Sequence, residues 1–328
     1  MIGRLGQKLA SLQRIVAELQ FVSDPQPNPA VFERLLCAFK KRSNSREVDL
    51  LPETLTAGAI GEAQSISEWQ GRGRDEYVLA MKSVVFADFE IRLFLPTGAT
   101  RLAIYLPGSL TSVEQVFDVS DSHFHLRNLA ELNGVALCSW NWPMQGNRLH
   151  GGIYRNVAGH DQLAKEYARV LPVFGSSLFV EYLAEMEACL RAVISFVGEG
   201  REIVVAGWSQ GAWFSYFAPL LNPRVNKITS AGSCAAYSDI LAQGCGHVHG
   251  YFMYPFLTRT GFELDDICRK SSNRAPIHIV CGDADRGCLA STLRRLEGIP
   301  RVRVSVLSGH SHSFTGSMRY MVAKDMFS

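Results

Sequence analysis

The sequence predicts a three-layer α/β fold, with a mostly parallel sheet of about eight strands carrying helices on both faces. Three observations lead there. Short continuous apolar runs alternate with amphipathic stretches through most of the 328 residues, as expected of strands buried on both faces and linked by helices. At 202–211, EIVVAGWSQG, an apolar run is closed by Gly207, Trp208, Ser209, Gln210 and Gly211 and followed by an amphipathic segment, which reads as strand, sharp turn, helix. Two later runs end in polar clusters, carboxylates after Ile277-His278-Ile279-Val280-Cys281 and imidazoles after residues 302–307.

Composition narrows the class. Hydrophobic residues at 47% and charged residues at 20% are ordinary for a globular chain. Lys plus Arg number 33 against 31 Asp plus Glu, a net charge of +2 that gives no global bias toward nucleic acid. Lys8, Gln13, Arg14 and Glu18 interrupt any signal-peptide core. No apolar run approaches the roughly 18 residues of a membrane span. The eight cysteines are scattered, several inside apolar runs, so they read as free thiols in a reducing, cytoplasmic setting. Cys281 and Cys288 flank residues 282–287 and offer one pairing, the lesser reading.

Residues 1–75 read as a helical N-terminal extension. Leu5, Leu9, Leu12, Ile15, Val16 and Leu19 recur at helical spacing. Pro25, Pro27 and Pro29 break the chain before a second short helix over 31–39. Lys40-Lys41-Arg42 ends that helix with charge the macrodipole favours; it reads as a solvated helix end before an anionic docking site. The apolar stripe has three candidate partners: the body of the same chain, a second copy in a homo-oligomer, or a carrier protein.

Residues 76–328 form the main domain. Runs 77–86 and 89–95, parted by Ala87-Asp88, read as a hairpin. Strands follow at 101–106, 134–142 and 202–206, with a helix over 178–197 whose Leu178, Tyr182, Met186, Cys189, Leu190 and Val193 share one face. Strands at 227–234, 277–281 and 301–307 complete the sheet. A cap-like insertion spans about 237–276 and carries Tyr251, Phe252, Met253, Tyr254, Phe256 and Phe262, a cluster read as core under a loop before an aromatic lid.

A serine hydroxyl is a poor nucleophile unless a base takes its proton and fixed donors receive the charge on the attacked carbonyl oxygen. A tight turn ending a strand lifts that hydroxyl clear of the sheet and aims the next N–H, at a helix start, toward the developing oxyanion. In a parallel sheet the ends of the three strands share one edge. Ser209, the acids Asp283 and Asp285, and the bases His310 and His312 therefore meet there in the order Ser, Asp, His. Residues two apart point the same way on an extended chain, so spacing leaves both acids and both bases open.

Three H-x-H pairs occur, His123/His125, His247/His249 and His310/His312. With no H-E-x-x-H motif or paired C-x-x-C they do not build a zinc site, and neither metal nor cofactor is expected. Trp142 and Arg148, in the loop after the fourth strand, offer either a pocket for a carboxylate or phosphate or aromatic packing with the arginine snorkelling out.

The chain from about Asp75 onward resembles the α/β-hydrolase fold superfamily, on G-x-S-x-G at 207–211, Gly282-Asp283-Ala284-Asp285, and Gly309-His310-Ser311-His312 with Phe314. The resemblance implies Ser209 as nucleophile, His312 as base and Asp285 as the acid that orients it. It implies oxyanion donors at the Gln210 N–H and, from Pro107-Gly108-Ser109 where many relatives carry His-Gly, the Ser109 N–H. Gly-x-Ser-Gln-Gly is similar to motifs of small carboxylesterases, acyl-protein thioesterases and cutinases. The expected function is a serine hydrolase cleaving an ester or thioester through an acyl-enzyme, with Trp208, Trp142, Arg148 and Tyr254 as candidate pocket residues. The alternatives are an acyltransferase or cyclase using the same acyl-enzyme, or a non-catalytic binding protein of the same fold.

Overall fold

The computed structural model describes residues 63–83, 85–109, 111–118, 125–143, 177–233, 264–285, 290–314 and 316–328, with Gln145, Arg148, Ala164 and Tyr167 between them. The expected helices before residue 63, Tyr254 and most of the cap-like insertion lie outside the described residues.

Among the described residues ten strands form one sheet. They are β1 (Gln64–Ser65), β2 (Gln70–Gly73), β3 (Glu76–Lys82), β4 (Phe89–Phe94), β5 (Arg101–Leu106), β6 (Ala136–Trp140), β7 (Glu202–Trp208), β8 (Lys227–Ala231), β9 (Ile277–Gly282) and β10 (Val302–Leu307). The order is β1-β3-β4-β6-β5-β7-β8-β9-β10, with β2 also on β3. Pairing is antiparallel from β1 to β6 and parallel from β6 to β10.

The sheet is larger than expected, and it begins at Gln64, inside the stretch read as helical extension. The sequences QS and QGRG of β1 and β2 are wholly exposed and carry no apolar alternation. Backbone pairing to β3 defines them, and that leaves no mark in residue type. The hairpin is also looser than expected, because β3 stops at Lys82, and Val85 and Phe86, before β4, are buried in the core.

Side chains along β5 alternate between two buried clusters and so divide the core. Leu102, Ile104 and Leu106 face a cluster built by α3 (Leu178–Val197), α4 (Gln210–Ser215), α5 (Ala218–Leu221) and α6 (Leu264–Arg274), with Leu293 of α7 (Ala290–Arg294). Ala103 and Tyr105 face α1 (Val113–Phe117), α2 (Leu126–Leu132) and α8 (Gly316–Phe327). Each fully buried aliphatic side chain contributes about 1.5–3 kcal/mol. α3 starts where the Ser177 side chain accepts from the Val180 N–H at 3.3 Å, satisfying one of the amides a helix start leaves unbonded. It stops at Gly198, at φ 80°. Cys138, Cys189, Cys268 and Cys281 are free buried thiols whose pKa values burial raises, Cys281 up to about 11. They pack as small hydrophobes. Among the described residues no helix is long and apolar enough to cross a membrane.

Two polar clusters pin this scaffold. Asp325 of α8 binds Lys227 Nζ at 2.6 Å and Thr229 Oγ1 at 3.0 Å on β8, and His278 Nδ1 on β9. Burial opposes ionisation of Asp325, but the hydrogen bonds and charges of His278 and Lys227 outweigh it and hold the carboxyl well below the usual range.

The second cluster corrects the pocket expectation for Arg148. Its side chain is fully buried and pairs bidentately with Glu185 of α3, both contacts at 2.9 Å. Arg148 also donates to the Asn141 carbonyl at 2.9 Å and the Ala87 carbonyl at 3.1 Å, and lies over the Phe89 ring at 4.1 Å. It does not snorkel outward, and these donors are satisfied inside the core instead of being offered to a pocket. Trp142 is likewise core. It stacks on Tyr182 and donates its indole N–H to the Pro107 carbonyl at 2.9 Å.

Asp325→Asn should lower unfolding free energy at pH 7 by about 2 kcal/mol, because it leaves Lys227 and His278 without their anion. Since the folded carboxyl is shifted down, this contribution is present above about pH 4 and fades as pH falls further; urea unfolding at pH 7 and pH 3 should show the gap closing. Arg148→Met should cost about 3–5 kcal/mol by stranding Glu185 in the core, and adding Glu185→Leu should recover most of it in the same assay.

Candidate active site

β7 delivers Ser209 to the edge of the sheet. The residue sits at φ 52° and ψ −113°, a conformation that costs an L-residue about 1–3 kcal/mol and persists only where the surroundings fix it. Here they do: the Ser209 N–H donates to the Ala231 carbonyl at 2.9 Å, and the Ser209 carbonyl accepts from the Trp213 N–H at 3.2 Å. The flanking glycines let α4 lie directly on the sheet. A Cβ on Gly207 would stand 2.2 Å from the Gly211 carbonyl oxygen, and one on Gly211 would stand 2.0 Å from that of Leu106. No side chain fits either gap.

Parallel pairing of β7, β8, β9 and β10 brings their carboxyl ends to the same edge. There Ser209 Oγ lies 2.9 Å from His312 Nε2, and His312 Nδ1 lies 2.7 Å from Asp285 Oδ2. The Asp285 side chain is fully buried, while the His312 side chain stays 27% exposed. A buried carboxylate accepting from Nδ1–H holds the tautomer whose Nε2 lone pair faces the serine proton.

The two open alternatives occupy other positions. Asp283 Oδ1 accepts the Gly309 N–H at 2.6 Å, tying the loop after β9 to the loop after β10. The Asp283 N–H to Leu307 carbonyl bond and the Ala284 N–H to His310 carbonyl bond close the same seam, at 3.1 and 3.2 Å. His310 turns away and bonds the Ser313 carbonyl through Nε2 at 3.0 Å. Of the other histidine pairs, His125 stands at the N-terminal boundary of α2 with no side-chain capping bond, and His123, His247 and His249 lie outside the described residues. Among the described residues no group of three or more His, Cys, Asp or Glu stands close enough to hold a metal ion.

Around the serine, Gln210 opens α4, where the first amides have no acceptor within the helix. Its side chain is locked below by Gln145 Nε2, which donates to Gln210 Oε1 at 3.1 Å. Ser109 follows β5 in a turn closed by the Thr111 N–H to Gly108 carbonyl bond at 3.1 Å. Trp208, only 7% exposed, lies against His312 with ring centroids 4.7 Å apart.

Sequence reasoning missed Glu185 and Gln145. A signal existed for Glu185, which falls three residues after Tyr182 and four before Cys189 on the apolar face of α3. A carboxylate there requires a buried cation. Gln145 had no such signal, because its partner comes from a distant helix.

No protein-family model matches the chain, and no curated protein matches it in sequence. Solved structures do share its chain path. Acetyl xylan esterase 1 from Thermoanaerobacterium sp. JW/SL YS485 superposes with a TM-score of 0.55 at 16% identity, covering 95% of this chain and 97% of its own. An S-formylglutathione hydrolase from Agrobacterium tumefaciens gives 0.51 at 12% identity, covering 80% and 95%. With the sheet order and the β7–Ser209–α4 turn, this likeness identifies the chain as a protein of the α/β-hydrolase fold.

Proposed function

We propose that the protein is a serine hydrolase that cleaves a carboxylic ester or thioester through an acyl-enzyme on Ser209. The observation that carries this reading is the unbroken hydrogen-bonded path from buried Asp285 through His312 to the hydroxyl of a conformationally strained serine. A structural network has no need of the strain, whereas a nucleophile does, because the turn is what exposes it. The names of structural neighbours, an acetyl xylan esterase and an S-formylglutathione hydrolase, lend support to acyl chemistry.

In this reading Ser209 Oγ attacks the acyl carbon while His312 Nε2 takes its proton. The carbonyl oxygen becomes an oxyanion held by the Gln210 and Ser109 N–H groups. His312 then protonates the departing alcohol or thiol, the oxyanion collapses to an ester on Ser209, and water activated by His312 hydrolyses that ester. Asp285 holds the imidazole and stabilises its cation throughout.

A fluorophosphonate probe should label Ser209, located by mass spectrometry of the adduct, and labelling should fall sharply in His312→Ala. With p-nitrophenyl esters and acyl thioesters, Ser209→Ala should lose about 10⁴-fold or more in kcat and Asp285→Asn about 10²–10⁴-fold, at unchanged fold by circular dichroism. Absence of labelling in well-folded wild type would sink the reading.

A further inference from the structure

Two hydrogen bonds do not fix an imidazole. Anchored at Nδ1 by Asp285 and at Nε2 by Ser209, the His312 ring retains a tilt about the line joining its nitrogens. That tilt changes how the Nε2 lone pair meets the serine proton. His312 lies in the irregular stretch between β10 and α8. A flat surface against one face of the ring restrains that tilt.

The Trp208 indole is that surface. Its ring stands 4.7 Å from the His312 ring at an interplanar angle of 31°, and 5.3 Å from Phe314 on the same loop. The indole is itself held. It ends β7, in register with Ala231 of β8, and it fills the space that side chains at Gly108 and Gly232 would take. A Cβ at Gly108 would come within 2.7 Å of its Cδ1 and one at Gly232 within 2.2 Å of its Cζ3. One residue thus touches the loop carrying Ser109, the loop after β8 and the imidazole, from the position beside the serine. A Trp face also attracts a cation, and the reaction makes one when His312 accepts the serine proton.

We propose that Trp208 is a positioning residue, whose indole face sets the tilt of the His312 imidazole toward Ser209 and stabilises the imidazolium formed as Ser209 attacks. This rests on the reading of Ser209 as nucleophile. It assigns Trp208 a role distinct from lining a substrate pocket.

The test compares Trp208→Met, a flexible apolar side chain without a flat face, with Trp208→Phe, which keeps a face; both are smaller than Trp. Using a p-nitrophenyl ester, the Met variant should lose about tenfold in kcat with KM within about twofold, and the Phe variant should regain most of the loss. A change confined to KM, a Met variant equal to wild type, or a Phe variant no better than Met overturns the proposal. A second measurement uses the unaltered protein. The His312 ring-proton resonances, assigned by their absence from His312→Ala, should lie upfield of their free positions because the indole faces them; free positions overturn the stacking even if either variant fails to fold. If wild type shows neither Ser209 labelling nor turnover, the hydrolase reading falls and this proposal with it. Turnover with unaltered Met kinetics removes only the role of Trp208.

Discussion

The contact on which the rest depends is the one between α4 and the carbonyl end of β5. Gly211 brings helix backbone so close to the Leu106 carbonyl that a methyl group would overlap it. That approach forces the chain to reverse within Ser209, and the reversal raises φ to 52°. The strain is local and small beside the burial of β5 and β7, whose side chains are almost wholly enclosed. A packed core can therefore hold one residue in a conformation that an isolated peptide would leave. The same compression sets Gln210 at the helix start, where the first amides have no acceptor within the helix.

Polar groups then fix what apolar packing leaves loose. Arg148 and Glu185 join the loop after β6 to α3, and both charges are buried, so their value is in the geometry they impose more than in net stability. Their clasp anchors the segment that carries Gln145, and Gln145 reaches Gln210. Trp142 fastens Pro107 from beneath, at the root of the turn that presents Ser109. At the opposite end of the sheet Asp325 pins α8 across β8 and β9. The loop that precedes α8 carries His312 and Phe314, so this remote ion cluster and the site belong to one continuous support.

The residue types and their order marked the strands of the parallel half, the helix over 178–197 and the turn at Ser209, because each writes its period or its glycines into local sequence. They did not separate Asp285 from Asp283 or His312 from His310, since residues two apart share a direction on an extended chain. Tertiary contact parts them: Asp283 is taken up by the Gly309 amide and His310 by the Ser313 carbonyl, while Asp285 and His312 find each other. β1 and β2 escaped notice because exposed edge strands carry no apolar alternation and are defined by backbone pairing to β3.

The sequence by itself determined the layer architecture, the nucleophile-type turn and the sheet edge on which the polar residues gather, because hydrophobic period and strand ends are local properties. Only the tertiary structure decided which side chains face the site. Arg148 and Trp142, legible as pocket residues by type and position, are drawn into the core by Glu185 and Pro107. Trp208 meets His312 across 103 intervening positions. Such choices depend on partners far away in the chain, and a charge or an aromatic ring carries no local mark of whether its partner will be a substrate or the protein itself.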